Sequence, residues 1–178
     1  MGQRFIMTAF GKDRPGIVAD VTGILYENGC NLEDTSMTLM AGEFTLILLF
    51  TAGSADVADP LSRDCRRLEQ EKGISAFLRP LEPPETAKPG DRVKTHTLHV
   101  EGLDQAGIVY KVSRFLADHR VNIVDLKSTV KASPESGTAM YVMDIRAQIP
   151  NDTDMDLVEK GLHAVADELN VDITLSGR

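Results

Sequence analysis

The strongest constraint on this chain is that one signature is written in it twice. Residues 11–34 (GKDRPGIVADVTGILYENGCNLED) and 102–125 (GLDQAGIVYKVSRFLADHRVNIVD) align at a constant offset of 91 with no gap, and nine of the 24 positions are identical. A duplicated order of turns and apolar periods predicts two copies of one folding unit. Beyond the block the pattern persists but the length changes. Residues 44–50 (FTLILLF) match 140–146 (MYVMDIR) at an offset of 96, which places five additional residues in the second copy. They fall around residues 131–137 (KASPESG), whose Ser, Pro and Gly read as a hairpin loop.

Each copy reads as βαββαβ. Short strands at 7–10 and 98–100 lead through a turn into a helix that begins near Gly16 or Gly107. Ile17, Val21, Ile24 and Leu25, and in the second copy Ile108, Val112, Phe115 and Leu116, recur at helical spacing on one face. Asn28 and Gly29 supply a left-handed stop, a task that falls to His119 and Arg120 in the second copy. Two strands follow (32–40 with 43–51; 123–131 with 138–147), then a second amphipathic helix, then a last strand (76–78; 171–175). The expected class is α+β: two ferredoxin-like units in tandem, each an antiparallel four-stranded sheet with two helices on one face. Residues 79–95 hold four prolines and few large apolar groups, so the expected division is 1–80, a linker at 81–95, and 96–178. Units of this size bury little on their own, so pairing of units, a homodimer, or both is expected.

The formal charge is −8, and residues 1–90 and 91–178 each contribute −4. Without a segregated basic face, direct binding of nucleic acid is not expected. No apolar run approaches the roughly 20 residues that span a bilayer, and the start MGQRFIMTAF enters a strand pattern rather than a signal peptide. A cytoplasmic location and no membrane partner are expected. Cys30 and Cys65 form neither a CxxC pair nor a secreted-type framework, and are expected reduced and half-buried. His96 and His99, read as sharing one strand face, suggest a metal pair only superficially, because no third ligand is near in sequence. No metal or cofactor is expected. The sequence has no G-x-S-x-G elbow and no G-x-x-x-x-G-K loop, and a non-enzymatic role is expected.

The candidate chemistry lies in D-x-x-G-I-V at residues 13–18 and again at 104–109. A strand-to-helix turn presents unpaired N–H groups backed by the helix dipole, which suits a carboxylate. Gly16 and Gly107 permit close approach of a ligand, while Asp13 and Asp104 either cap the helix or accept from a ligand ammonium. Asn31 and Asn122, 15 residues further on, offer an amide to a ligand or satisfy a left-handed turn.

On these residues the chain resembles the ACT family, small regulatory modules that bind amino acids, and the resemblance covers both halves. It implies a ligand held by the loop and an Asn at an interface between paired domains. In the first copy these are Asp13, Arg14, Gly16, Ile17, Val18 and Asn31; in the second, Asp104, Gln105, Gly107, Ile108, Val109 and Asn122. The implied ligand is an amino acid, glycine or another small one. The implied role is a sensor acting through a protein partner, such as a transcription factor governing amino-acid or glycine metabolism. The alternative is a stand-alone regulatory subunit of an amino-acid biosynthetic enzyme. Arg14 and Pro15 become Gln105 and Ala106 in the second copy, so the two sites are expected to be inequivalent.

Overall fold

The computed structural model describes residues 2–82, 93–133 and 137–177. Most of the expected linker (83–92) and the middle of the expected hairpin loop (134–136) lie outside the described residues. The chain divides into two compact units, Met1–Glu85 and Thr86–Arg178. The first contains β1 (Gln3–Lys12), α1 (Ile17–Glu27), β2 (Asn31–Met40), β3 (Glu43–Ala52), α2 (Ala58–Lys72) and β4 (Ser75–Pro80). The second repeats the order with β5 (Val93–Leu103), α3 (Ile108–Asp118), β6 (Asn122–Ala132), β7 (Ala139–Pro150), α4 (Met155–Leu169) and β8 (Val171–Gly177).

Both sheets are antiparallel, in the orders β2-β3-β1-β4 and β6-β7-β5-β8. This is the ferredoxin-like α+β arrangement in tandem. The first strands are longer than their short apolar runs suggest, because β3 and β7 offer partners along their whole length. Residues 93–95, read as linker, pair with Pro150, Ile149 and Gln148.

Period-2 alternation sends Phe5, Met7 and Ala9 of β1, with Phe44, Leu46, Leu48 and Phe50 of β3, to the helix side, where all are buried. Ile17, Val21, Ile24 and Leu25 of α1 and Leu61, Cys65 and Leu68 of α2 close that core. The second core matches it with Leu98, Val100, Met143 and Ile145 beneath Val112, Leu116, Val158 and Leu162.

Register corrects the length comparison. Gly11 pairs with Phe44, and its counterpart Gly102 pairs with Tyr141, so the true offset of the third strands is 97 rather than 96. Met40 faces Glu43 across the first hairpin and Lys131 faces Met140 across the second, which makes six extra residues rather than five. The slip matters because the side-chain period is two: an offset of 96 would set Asp144 against the core residue Leu48. Both second strands also carry a bulge, between Leu32 and Asp34 and between Ile123 and Asp125, that turns the repeated aspartate to the open sheet face.

The helix stops follow the expected pattern in both copies. Gly29 lies at φ 66°, its N–H donates to Tyr26 O, and Cys30 N donates to Leu25 O, a Schellman closure. Arg120 N to Ala117 O and Val121 N to Leu116 O repeat it, with Arg120 itself left-handed at φ 59°. A side chain there is strained by roughly 1 kcal/mol. Its one ion pair among the described residues is an exposed one with Asp152 at 3.8 Å, of the kind that contributes little. Arg120→Gly is therefore expected to stabilise the second unit by about 1 kcal/mol, read as a higher denaturation midpoint in urea.

Candidate functional site

The two D-x-x-G-I-V loops join β1 to α1 and β5 to α3. Each is fixed by the neighbouring hairpin: Asp13 N donates to Gly42 O at 2.9 Å, and Asp104 N to Ala139 O at 3.1 Å. Gly42 can take its place because Ala41 and Gly42, at φ 52° and 82°, form a two-residue turn in which both residues are left-handed.

The helices begin on Gly16 and Gly107, at φ 87° and 97°. That settles one open choice: the cap residue is the glycine and makes no side-chain cap hydrogen bond, so Asp13 and Asp104 are not the N-caps. The first helical bonds are Asp20 N to Gly16 O and Lys111 N to Gly107 O, both 2.9 Å. Among the described residues, the N–H groups of Val18 and Ala19, and of Val109 and Tyr110, have no backbone acceptor, and the positive end of the helix dipole lies behind them. Neither aspartate carboxylate has a partner among the described residues. Ile17 and Ile108 are core residues, while Val18 and Val109 are exposed beside the loop.

Arg14 and Gln105 separate the copies. The Arg14 guanidinium folds onto the first turn of α1, donating to Asp20 Oδ2 at 2.5 Å and to the Pro15 carbonyl at 3.3 Å. Lys72 Nζ approaches the other Asp20 oxygen at 3.7 Å. The Arg14 hydrogen bond, aided by Lys72, holds the Asp20 carboxyl below its ordinary value. In the second copy Gln105 donates to the Leu169 carbonyl at the end of α4, and the Asp20 position is Lys111, paired with Glu168 at 2.7 Å. The polarity of the helix–helix bridge is thus reversed between copies, a difference already visible where Asp20 aligns with Lys111.

Asn31 and Asn122 are not brought to their own loops. Asn31 pairs with Thr51, and Thr51 with Arg4 at the opposite end of β1 from Lys12, roughly 25–30 Å away at the strand rise. Asn122 opposes Gln148 and donates to its side chain at 3.5 Å, at the same far end of the second unit. A small amino acid cannot touch both features of one unit. The histidine pair is also separated: three strand positions put His96 on the helix side and His99 on the open face. There His99 meets Asp144 at 2.7 Å and Glu101 at 3.6 Å, and the Asp144 hydrogen bond raises its pKa. No cluster of three His, Cys, Asp or Glu able to hold a metal occurs among the described residues. Both thiols are free: Cys30 is half-buried, and Cys65 is buried, which pushes its pKa up to about 11.

Residues 3–78 match the model of the ACT domain. A UPF0237 protein of Methanopyrus kandleri is 33% identical over 76 residues, 84% of its own length and 42% of this chain. The chain belongs to the ACT-domain family. The second unit lies outside the family match but repeats its element order and strand pairing. Across both units, the glycine cleavage system transcriptional repressor of Escherichia coli K12 is 29% identical over 166 residues, covering 93% of this chain and 85% of the repressor. A crystal structure of an unknown protein from Galdieria sulphuraria has a TM-score of 0.81 at 28% identity, spanning 100% of this chain and 99% of that one. No helix among the described residues is long and apolar enough to cross a membrane.

The Asp20 contact at the first ACT loop predicts an acid effect with a definite sign. A carboxyl whose folded pKa is depressed contributes stability that is complete above its unfolded value of about 3.9 and is lost as pH falls through the lower, folded value. Wild type should therefore lose stability below about pH 4 more steeply than Asp20→Asn. Acid-limb unfolding followed by circular dichroism checks this, and coincident limbs would count against the contact.

Proposed function

We propose that this tandem ACT chain is a sensor of a small amino acid, glycine among the candidates, and that it acts through a protein partner in the control of amino-acid metabolism. The observation that carries the reading is the repeated loop. A left-handed glycine opens a helix whose first N–H groups have no backbone acceptor among the described residues, beside an unengaged aspartate. Such a pair of groups complements the carboxylate and ammonium of a free amino acid. The similarity to a transcriptional repressor along most of the chain supports a regulatory rather than catalytic role. The net charge of −8 favours action on a protein rather than directly on DNA.

The two loops are unequal, and the first is the working one. Arg14, paired with Asp20, places a guanidinium at the start of α1, whereas Gln105 in the second copy turns away to a carbonyl of α4. Asn31 and Asn122 stand too far from their own loops to share their ligand.

A thermal-shift panel of the twenty amino acids on the full chain tests the reading. The cognate amino acid at about a hundred times its dissociation constant should stabilise the folded chain by roughly 2.7 kcal/mol. Gly16→Ala should remove that shift and Gly107→Ala should leave it, each variant being compared with its own unliganded melting point. The reverse pattern would move the working site to the second copy, and no shift by any amino acid at millimolar concentration would overturn sensing. Capture of partners by the intact chain, read by mass spectrometry, separates a transcription factor from a biosynthetic enzyme.

A further inference from the structure

Helices cover one face of each sheet, and the other face differs sharply between the two units. Ile6, Phe10, Ile47 and Leu49 stand where the second unit has Thr97, Glu101, Asp144 and Arg146 at the same register positions. On the edge strands Phe77 answers to Thr174 in the same way, opposite Thr8 and His99. Phe10, Ile47 and Phe77 are 44%, 42% and 64% exposed, and the Phe10 and Phe77 rings stack at 6.0 Å. An open cleft of about 320 Å³ beside Ile6, Ile47, Leu49 and Leu81 continues this apolar surface toward β2. The fold itself does not demand such a face, since the second unit builds the same sheet with a charged one.

From this difference we infer that the open sheet face of the first unit is a self-association surface, seated in a two-fold dimer against the same face of a second copy of the chain. The chemistry of the patch selects that partner. Its centre holds only apolar and hydroxyl side chains. Its charges lie at the border and carry both signs: Arg4 and Lys12 at the ends of β1, Glu43 at the start of β3, and Asp34 and Arg79 on the edge strands. An apolar centre inside a mixed polar rim is the anatomy of an association surface, and a rim of both signs does not repel its own copy. The second unit's face, with Thr97, Glu101, Asp144 and Arg146 at those positions, lacks the apolar centre.

The size also fits. Three strands of ten residues and one of six, at about 3.4 Å per residue and about 4.8 Å apart, give a face of roughly 600 Å². Two such faces bury about 1,200 Å², the lower end of specific interfaces. Sheets packed face to face in this way stand about 10 Å apart and interdigitate their side chains. The inference does not depend on the amino-acid reading.

Sedimentation velocity of the full chain across micromolar concentrations tests it, with a dimer expected. Ile47→Asp and Phe10→Glu each install the residue that the second unit carries at that position, in a sheet that folds with it. Both should give monomers with native far-UV circular dichroism, the dissociation constant rising about a hundredfold or more. Leu39→Asp, on the helix side of β2, should leave the dimer intact. A monomeric wild type would overturn the inference. So would a dimer that survives both face variants, or one lost only in Leu39→Asp.

Discussion

Two helices must cover a sheet of four strands, and most features of each unit follow from that shortfall. The helices pack over its central pair and the β4 flank and leave the β2 edge uncovered. The interior therefore lies between β1, β3 and the helices, while every residue of β2 is exposed, including Leu32, Met37 and Leu39 on its helix side. The same economy leaves one whole face bare. In the second unit that face is made tolerable by charge, with His99 held between Asp144 and Glu101; in the first it is left apolar. A ferredoxin-like unit of this size is thus an incomplete object whose surplus surfaces invite a ligand or a further chain.

The binding loop obeys a second, local constraint. A helix that starts on a left-handed glycine has no side chain at its cap, so the N–H groups of the first turn stay available instead of being consumed internally. The nearby aspartate, released from capping, has no carboxylate partner among the described residues. The hairpin tip at Gly42 fixes the loop's height through one backbone bond, which makes the site a property of three elements rather than of a motif alone.

The element order, the helix stripes and the helix stops could be read from the sequence because each depends on a few neighbouring residues. Ile17, Val21, Ile24 and Leu25 needed only the helical period, and Asn28 with Gly29 only the stop signal. What could not be read depended on partners remote in sequence. The third strand of the second copy was misplaced by one residue because MYVMDIR is apolar enough to match FTLILLF in either phase, and only pairing with β5 decides which phase faces the helices. The bulges before Asp34 and Asp125 leave no compositional mark. Asn31 follows Gly16 by 15 residues, and a helix returning down the sheet carries it to the far end of the unit, a distance that only the pairing of β2 with β3 reveals. His96 and His99 seemed to share a face only until the strand period was counted between them.

The reversed bridge between the helices has a meaning for how such a chain avoids tangling itself. Two copies of one fold on one polypeptide can exchange equivalent elements, a recognised failure of repeat proteins. Here α1 offers Asp20 to Lys72, and α3 offers Lys111 to Glu168. An exchanged α1 would set Asp20 beside Glu168, charge against like charge, whereas Lys111 in the first unit would meet both Lys72 and Glu71, the residue at the position of Glu168. Shape adds to it: Phe115 lies so close over Gly161 that a Cβ there would come within 2.3 Å of the ring, whereas the corresponding position beneath Ile24 holds Asp64. Phe115 would have no room above Asp64, and Ile24 would leave a void above Gly161. The divergence of the two copies thus works as an address, written in charge and volume, that returns each helix to its own sheet.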